Sequence, residues 1–273
     1  MDLARAFYSL DDRADAHEGE RLVPSALTRG PWDANHQHGG PPAALLARAF
    51  EALAPPAEWH LARFTIEFFR PVPIDRPLLL RAAPTRSGQQ VLTLEGLLQT
   101  DERPLARAHA LCVRRRPIEL PPEVLPPARP ADPESFPAFS FPFFRAAVGY
   151  HTAMEVRLES GRIGQGPAVA WMRPRHPLVL GEATSALQRV LIAADAINGI
   201  GFALDLERFT FINADLTVYL HRLPEGPWLR LAASPSPQPS GVGLVEAELG
   251  DARGPIGRAL EAQVLRVRGE PPR

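Results

Sequence analysis

The segment LIAADAING (191–199) sets one carboxylate, Asp195, among Ile192, Ala193, Ala194, Ala196 and Ile197. Near the end of a helix, an exposed acid opposes the macrodipole at a cost of about 0.3–1 kcal/mol. A residue that is locally unfavourable in an apolar helix marks a place where function can override propensity. The competing reading is an acid on the solvent side, paired with an arginine. In RFTFINADLTVYLHR (208–222), period-two alternation puts Phe209, Phe211, Asn213, Asp215, Thr217 and Tyr219 on one face of a strand. Ile212, Ala214, Leu216 and Val218 take the other face. Three polar residues in succession on a strand face mean either solvent or a site, and Asp215 reads equally well as a group that binds loop backbone. A carboxylate beside an amide can hold a water and accept its proton. A third candidate is His36-Gln37-His38-Gly39-Gly40, where backbone N–H groups at a helix start can bind an anion or polarise a carbonyl. Pro41 and Pro42 remove some of those donors, and a tight turn packing helix on sheet is the other reading. His36 and His38 are two apart with no evident third ligand, so no metal is expected.

The composition narrows the chemistry. All 30 basic residues are Arg, so no lysine is present for a Schiff base or a P-loop. No G-x-S-x-G, G-x-G-x-x-G or H-E-x-x-H occurs. The single Cys112 excludes an internal disulfide and a Cys-rich zinc site. A formal net charge of -1 offers nothing for nucleic acid or an anionic membrane. No signal-peptide pattern or membrane span is read, so a cytoplasmic protein is expected. At 273 residues and 45% hydrophobic content, two domains or one fused double domain is the starting expectation.

The elements that must position these residues fall into two matching sets. HGGPPAALLARAFEAL (38–53) predicts a helix, followed by four strand-like runs, LARFTIEFFRPV, PLLLRAAPTR, QVLTLEGLLQT and PLARAHALCVRR. EATSALQRVLIAADAI (182–197) predicts a second helix, stopped by Asn198-Gly199 and again followed by four runs. PAVAWMR (167–173) adds a strand before it. Arg-Phe-Thr opens the first strand of each set, 145 residues apart, and LLQTDERPLARA matches AELGDARGPIGRA. The chain is thus one unit used twice, each an α+β sheet wrapped on an apolar helix. Between them, residues 114–142 hold nine prolines and read as an extended surface linker. The expected division is a first repeat over 1–116, a linker over 117–145 and a second repeat over 146–273.

These features resemble the double hotdog fold of thioesterase-like proteins related to acyl-CoA thioesterase II. GPWDANHQHGGPPAALLARA resembles that group's first-repeat signature, RFTFINADLTVYLHR its second-repeat strand, and SGVGLVEAELGDARGPIGRA its return hairpin. The resemblance implies a catalytic Asp at Asp195, a Thr-like position at Asn213 where this chain departs from the pattern, and a water-orienting Gln at Gln263. Glu261, two residues earlier on the same face, is the residue a shifted alignment selects. His38, Gly39, Gly40, Asp215 and Thr217 are the expected substrate-binding set. With the 145-residue offset, Asn213 corresponds to Phe68 and Asp195 to Phe50, or to Ala49 with a one-residue shift, while around Gln263 the first repeat offers Cys112 or nearby apolar residues. The first copy is therefore expected to be scaffold and the second active. The implied reaction is hydrolysis of an acyl thioester, with a water activated by Asp195 and no cofactor. The expected partner is acyl-CoA or another acyl thioester, with no nucleic acid or membrane, and with a homodimer or higher homo-oligomer as the assembly. Two rivals stand beside it: a non-catalytic acyl-thioester binder, and a hydratase or dehydratase needing a catalytic His, for which His221 and His176 are nearest in sequence.

Overall fold

A computed structural model describes residues 5–11, 19–101, 103–124, 128 and 130–269. Parts of the opening stretch and of the Pro-rich segment, including 12–18 and 125–127, lie outside the described residues. In chain order the elements are β1 (Tyr8–Leu10), β2 (Glu20–Pro24), α1 (Gly40–Leu53), β3 (Trp59–Phe68), β4 (Leu78–Ser87), β5 (Val91–Gln99) and β6 (Pro104–Arg114). They continue with β7 (Ala138–Phe139), α2 (Tyr150–Ala153), β8 (Met154–Gly161), β9 (Ala168–Pro174), α3 (Ala186–Ala194) and α4 (Ile197–Ile200). The chain closes on β10 (Phe209–Asn213), β11 (Asp215–Leu220), β12 (Leu229–Pro237), β13 (Val242–Asp251) and β14 (Gly254–Val267).

All named strands join one antiparallel sheet in the order β1-β2-β4-β5-β6-β3-β11-β14-β13-β12-β9-β8-β7, with β10 pairing only β14. The alternation in β3 explains its place at the centre. Phe64 and Ile66 are buried on the core face, while Arg63 and Glu67 are not. β3 pairs β11 antiparallel, with Phe64 opposite Val218 and Ile66 opposite Leu216, so the two sets of strands form one continuous sheet. The core face packs on α1 and α3, whose Leu45, Leu46, Phe50, Leu191 and Ile192 are fully buried.

The two helices pack against each other in opposite directions. The second is shorter than the sequence predicts. A capping box starts α3, with Ser185 Oγ accepting from the Gln188 N–H and Gln188 Oε1 accepting from the Ser185 N–H. The helix stops at Ala194, Asp195 is its C-cap, and Asn198-Gly199 lie inside the separate short helix α4 rather than ending α3. Gly40 allows the close crossing: a Cβ there would run into the Ile192 carbonyl.

The Pro-rich segment departs from a simple surface crossing. Residues 117–124 are exposed, but Ala138 and Phe139 pair with β8, and Phe141 is buried. Phe139, Phe141, Phe143 and Phe144 contact one another ring to ring, so the second half of this segment is core wall. Apolar aromatics alternating with prolines gave that segment buried surface without regular structure. Among the described residues, no helix is long and apolar enough to cross a membrane.

Candidate active site

Asp195 ends α3 with its side chain buried, only 2% of the residue being exposed. Each carboxylate oxygen has a partner. Oδ1 accepts from Asn213 Nδ2 at 2.6 Å, and Oδ2 lies 2.7 Å from Nδ1 of His38. Asn213 comes from the end of β10 in the second repeat, whereas His38 precedes α1 in the first. The carboxylate also abuts the N-cap of α1: a Cβ on Gly39 would lie 2.7 and 2.9 Å from its two oxygens. A negative group at the start of one helix offsets the unfavourable end of the other.

His38 is held on three sides. Its backbone N–H donates to Thr28 O at 2.7 Å, its Nδ1 meets Asp195, and its ring stacks on Tyr150 at 3.7 Å between centroids, 4° from parallel. Tyr150 is itself fixed, donating from its hydroxyl to Ile192 O at 2.7 Å. Burial, with Asp195 and Glu261 nearby, pushes the Tyr150 phenol well above its ordinary range, so it remains a donor. The Gly40 N–H also approaches His38 Nδ1, at 3.3 Å. One nitrogen cannot both accept there and donate to Asp195, and the shorter contact to a charged oxygen prevails.

These residues line one wall of a cavity of about 460 Å³. Its remaining lining is mostly apolar and rich in aromatic rings, among them Trp32, Phe68, Phe141, Phe143, Phe144 and Phe211. Ala214, which lines the cavity, lies between β11, paired to β3, and β10, paired only to β14. Arg70 and Arg266 stand among the residues around it.

The structure distributes the expected residues unevenly. Asp195, Asn213, His38 and Gly39 come together on the cavity. Gly40 lies one residue inside α1, at the helix crossing. Gln263 faces Asn213 across the β10–β14 pair and is 7% exposed, with Nε2 unpartnered among the described residues. Glu261, on the same face, is fully buried with neither carboxylate oxygen hydrogen-bonded. Burial pushes its carboxyl well above the usual range, and Asp195 and Asp215 push the same way. Neither Gln263 nor Glu261 reaches the cavity surface. Asp215 Oδ1 accepts from the Ala262 N–H at 2.7 Å, tying β11 to β14, and Thr217 Oγ1 donates to Thr65 Oγ1 at 3.1 Å across the seam. These two groups do not line the cavity either.

The histidines separate in space. His36 is half exposed beside Asp33 and forms no pair with His38. The histidine near the second-repeat acid is not His221, whose Nε2 meets Pro255 O, nor His176, but His38 from the first repeat. Tyr150 and the linker phenylalanines also had no functional signal in the sequence beyond their aromaticity. Phe50, the counterpart of Asp195 by the repeat offset, lines with Glu51, Cys112, Leu187 and Leu223 a pocket of only about 10 Å³.

Residues 28–113 match the family model of the acyl-CoA thioesterase N-terminal domain, and residues 121–265 that of the C-terminal domain. The chain belongs to the acyl-CoA thioesterase family. It is a thioester hydrolase. A search of curated protein sequences finds no match. Among solved structures, this thioesterase is similar to an acyl-CoA thioesterase II, TesB2, from Mycobacterium marinum, at TM-score 0.69 and 14% identity over 96% of this chain and 97% of that one. A protein described as a putative thioesterase II from Thermobifida fusca superposes at TM-score 0.71, 16% identity and 96% and 97% coverage. A hot dog fold protein of unknown function from Alicyclobacillus acidocaldarius gives TM-score 0.69, 17% identity and 96% coverage of both. At these identities the structures speak to the fold, which is hotdog-like.

Proposed function

We propose that this chain is a double hotdog protein that hydrolyses an acyl-CoA to free acid and CoA at one site, formed on α3 and β10. The two repeats, 1–116 and 146–273 with the linker between them, each lay a helix on their share of the sheet. The observation that carries the reading is the buried Asp195 carboxylate, held by Asn213 and His38 at the wall of an apolar cavity.

The acyl chain occupies the apolar cavity, and the pantetheine arm leaves it towards Arg70 and Arg266. Arg70 and Arg266, neither of which has an acidic partner among the described residues, meet the phosphates at the rim. The charge of Asp195 activates the water. Asn213 holds that carboxylate in place, and Gln263, opposite Asn213 in the sheet, backs that strand pair from outside the cavity. The Gly39 N–H, on the cavity wall and with no protein acceptor among the described residues, faces the thioester oxygen as it gains charge. Gly40 serves the helix crossing that places Gly39, while Asp215 and Thr217 hold the neighbouring strands and act at a distance from substrate.

The test is release of thiol from a panel of short to long acyl-CoAs, with Asp195→Asn alongside. Wild-type release that falls by about 10²–10⁴ in the variant, with an unchanged circular dichroism spectrum, is the expected result. Full activity in Asp195→Asn rejects the assignment. The His38–Asp195 contact also favours a second reading, addition of water to an enoyl thioester, because that chemistry pairs an imidazole with an acid. Mass analysis separates the two: free acid and CoA on one side, an intact thioester heavier by one water on the other.

A further inference from the structure

We propose that Nε2 of His38 takes the proton from the attacking water, and that Asp195 acts as the positioning residue that holds the ring and supplies its counter-charge. This rests on the thioester hydrolysis argued above and names the group that moves the proton.

The geometry of the carboxylate is the first argument. Both Asp195 oxygens are already engaged by donors, Asn213 Nδ2 at 2.6 Å and His38 Nδ1 at 2.7 Å. A carboxylate so occupied is well suited to hold an imidazole. The second argument is the tautomer. An Nδ1–H committed to a carboxylate leaves Nε2 as the bare, proton-accepting nitrogen. That nitrogen has no hydrogen bond to the protein among the described residues, yet it is not among the buried atoms sealed from solvent. His38 lines the cavity, so Nε2 is open to what the cavity holds. The third argument is rigidity. The ring lies flat on Tyr150, whose hydroxyl is pinned to Ile192 O, and the His38 backbone is pinned to Thr28 O. A base must be held at a fixed angle to its water, and this one is clamped on its face, its edge and its backbone.

The reaction balances as follows. The water oxygen bonds to the thioester carbonyl carbon while one water proton moves to His38 Nε2. Collapse of the tetrahedral intermediate breaks the carbon–sulfur bond, and the same proton passes from Nε2 to the departing sulfur. The products are the free acid and the thiol, and His38 returns to its starting tautomer. The charged and titratable groups facing His38 are Asp195 on α3 and Tyr150 on α2, with Glu261 on β14 behind Asp195. Asp195, 2.7 Å from Nδ1, is the acid in direct contact with the ring.

Two measurements on the full chain test this. Nitrogen-15 spectra of labelled histidine, with the His38 signals assigned by their loss in His38→Asn, should show Nδ1 protonated and Nε2 bare in the wild type. An Nε2–H tautomer overturns the proposal whatever the substrate. In thiol-release assays His38→Asn keeps a donor for Asp195 but no base, and its kcat should fall at least 10²-fold with KM changed only a few-fold. His38→Ala should regain part of that loss in added imidazole, which a merely structural histidine does not allow. Near-wild-type turnover in a folded His38→Asn assigns the proton to Asp195 itself and overturns the base assignment alone. Absence of thiol release from the wild type overturns instead the hydrolysis on which it rests.

Discussion

At the scale of single residues, space and solvation set what each group can do. Gly39 has no Cβ because the Asp195 carboxylate and the Phe68 ring, 2.7 Å from where it would lie, take that volume. Gly39→Ala should therefore push the carboxylate off its donors and lower kcat/KM by at least about 10-fold, through displacement rather than lost chemistry. Glu261 is a buried acid without a partner, and its carboxyl is raised in the folded state. Its contribution to stability is complete below the unfolded value of about 4.3 and is lost as pH climbs toward the folded value. Replacement by neutral glutamine should remove that slope, so urea midpoints of Glu261→Gln should exceed the wild type at pH 8 and converge with it near pH 4. Asp251 has the opposite sign. Burial pushes its carboxyl up, but the Arg222 fork and the Glu225 and Arg253 N–H groups overcome this and hold it at about 2. That stability, roughly 2 kcal/mol, is present above the unfolded value near pH 4 and is lost as pH falls toward 2. An acid titration of the unfolding midpoint, repeated on Asp251→Asn, should show the slope only in the wild type.

At the scale of elements, the α1–α3 pair gives its two C-terminal acids different surroundings. Each helix brings a carboxylate from its C-terminal end to the start of the other. Glu51 of α1 accepts from Ser185 Oγ and Gln188 Nε2 at the head of α3, which leaves it a capping group. Asp195 of α3 meets the head of α1, where glycine and proline offer no such side chains and His38 fills the gap. The same crossing depends on Gly40. Gly40→Ala drives a methyl into the Ile192 carbonyl and should destabilise the chain by about 1–3 kcal/mol in chemical denaturation, the usual range for overpacking. Shifting Ile192 also moves Tyr150, whose hydroxyl bonds that carbonyl, so activity should fall with stability.

At the scale of the whole molecule, the two repeats share both a sheet and a site. The β3–β11 pairing buries Phe64, Ile66, Leu216 and Val218, and separation would expose two long strand edges. Residues 146–273 alone contain Asp195, Asn213 and Gln263 but lack His38, Gly39 and Phe68. Expressed alone, that half should be inactive and prone to aggregation, and co-expression with residues 1–145 should restore thiol release. Activity in the isolated half would show that the first repeat is scaffold only.

Local signals in the chain determined a good deal of this. Period-two runs and the Arg-Phe-Thr repeat marked the strands, because burial on one face of a sheet writes itself into alternating residues. Asp195 stood out because a carboxylate among Ile and Ala is locally costly, and Asn213 because it sits on the polar stretch of its strand. The tertiary structure decided what joins across the repeats. No sequence period links His38 to Asp195, 157 positions apart, since their contact follows from two helices crossing at Gly40. Nor did nine prolines announce a cavity wall, because a segment without regular structure shows its buried side chains only once there is a core for them to meet.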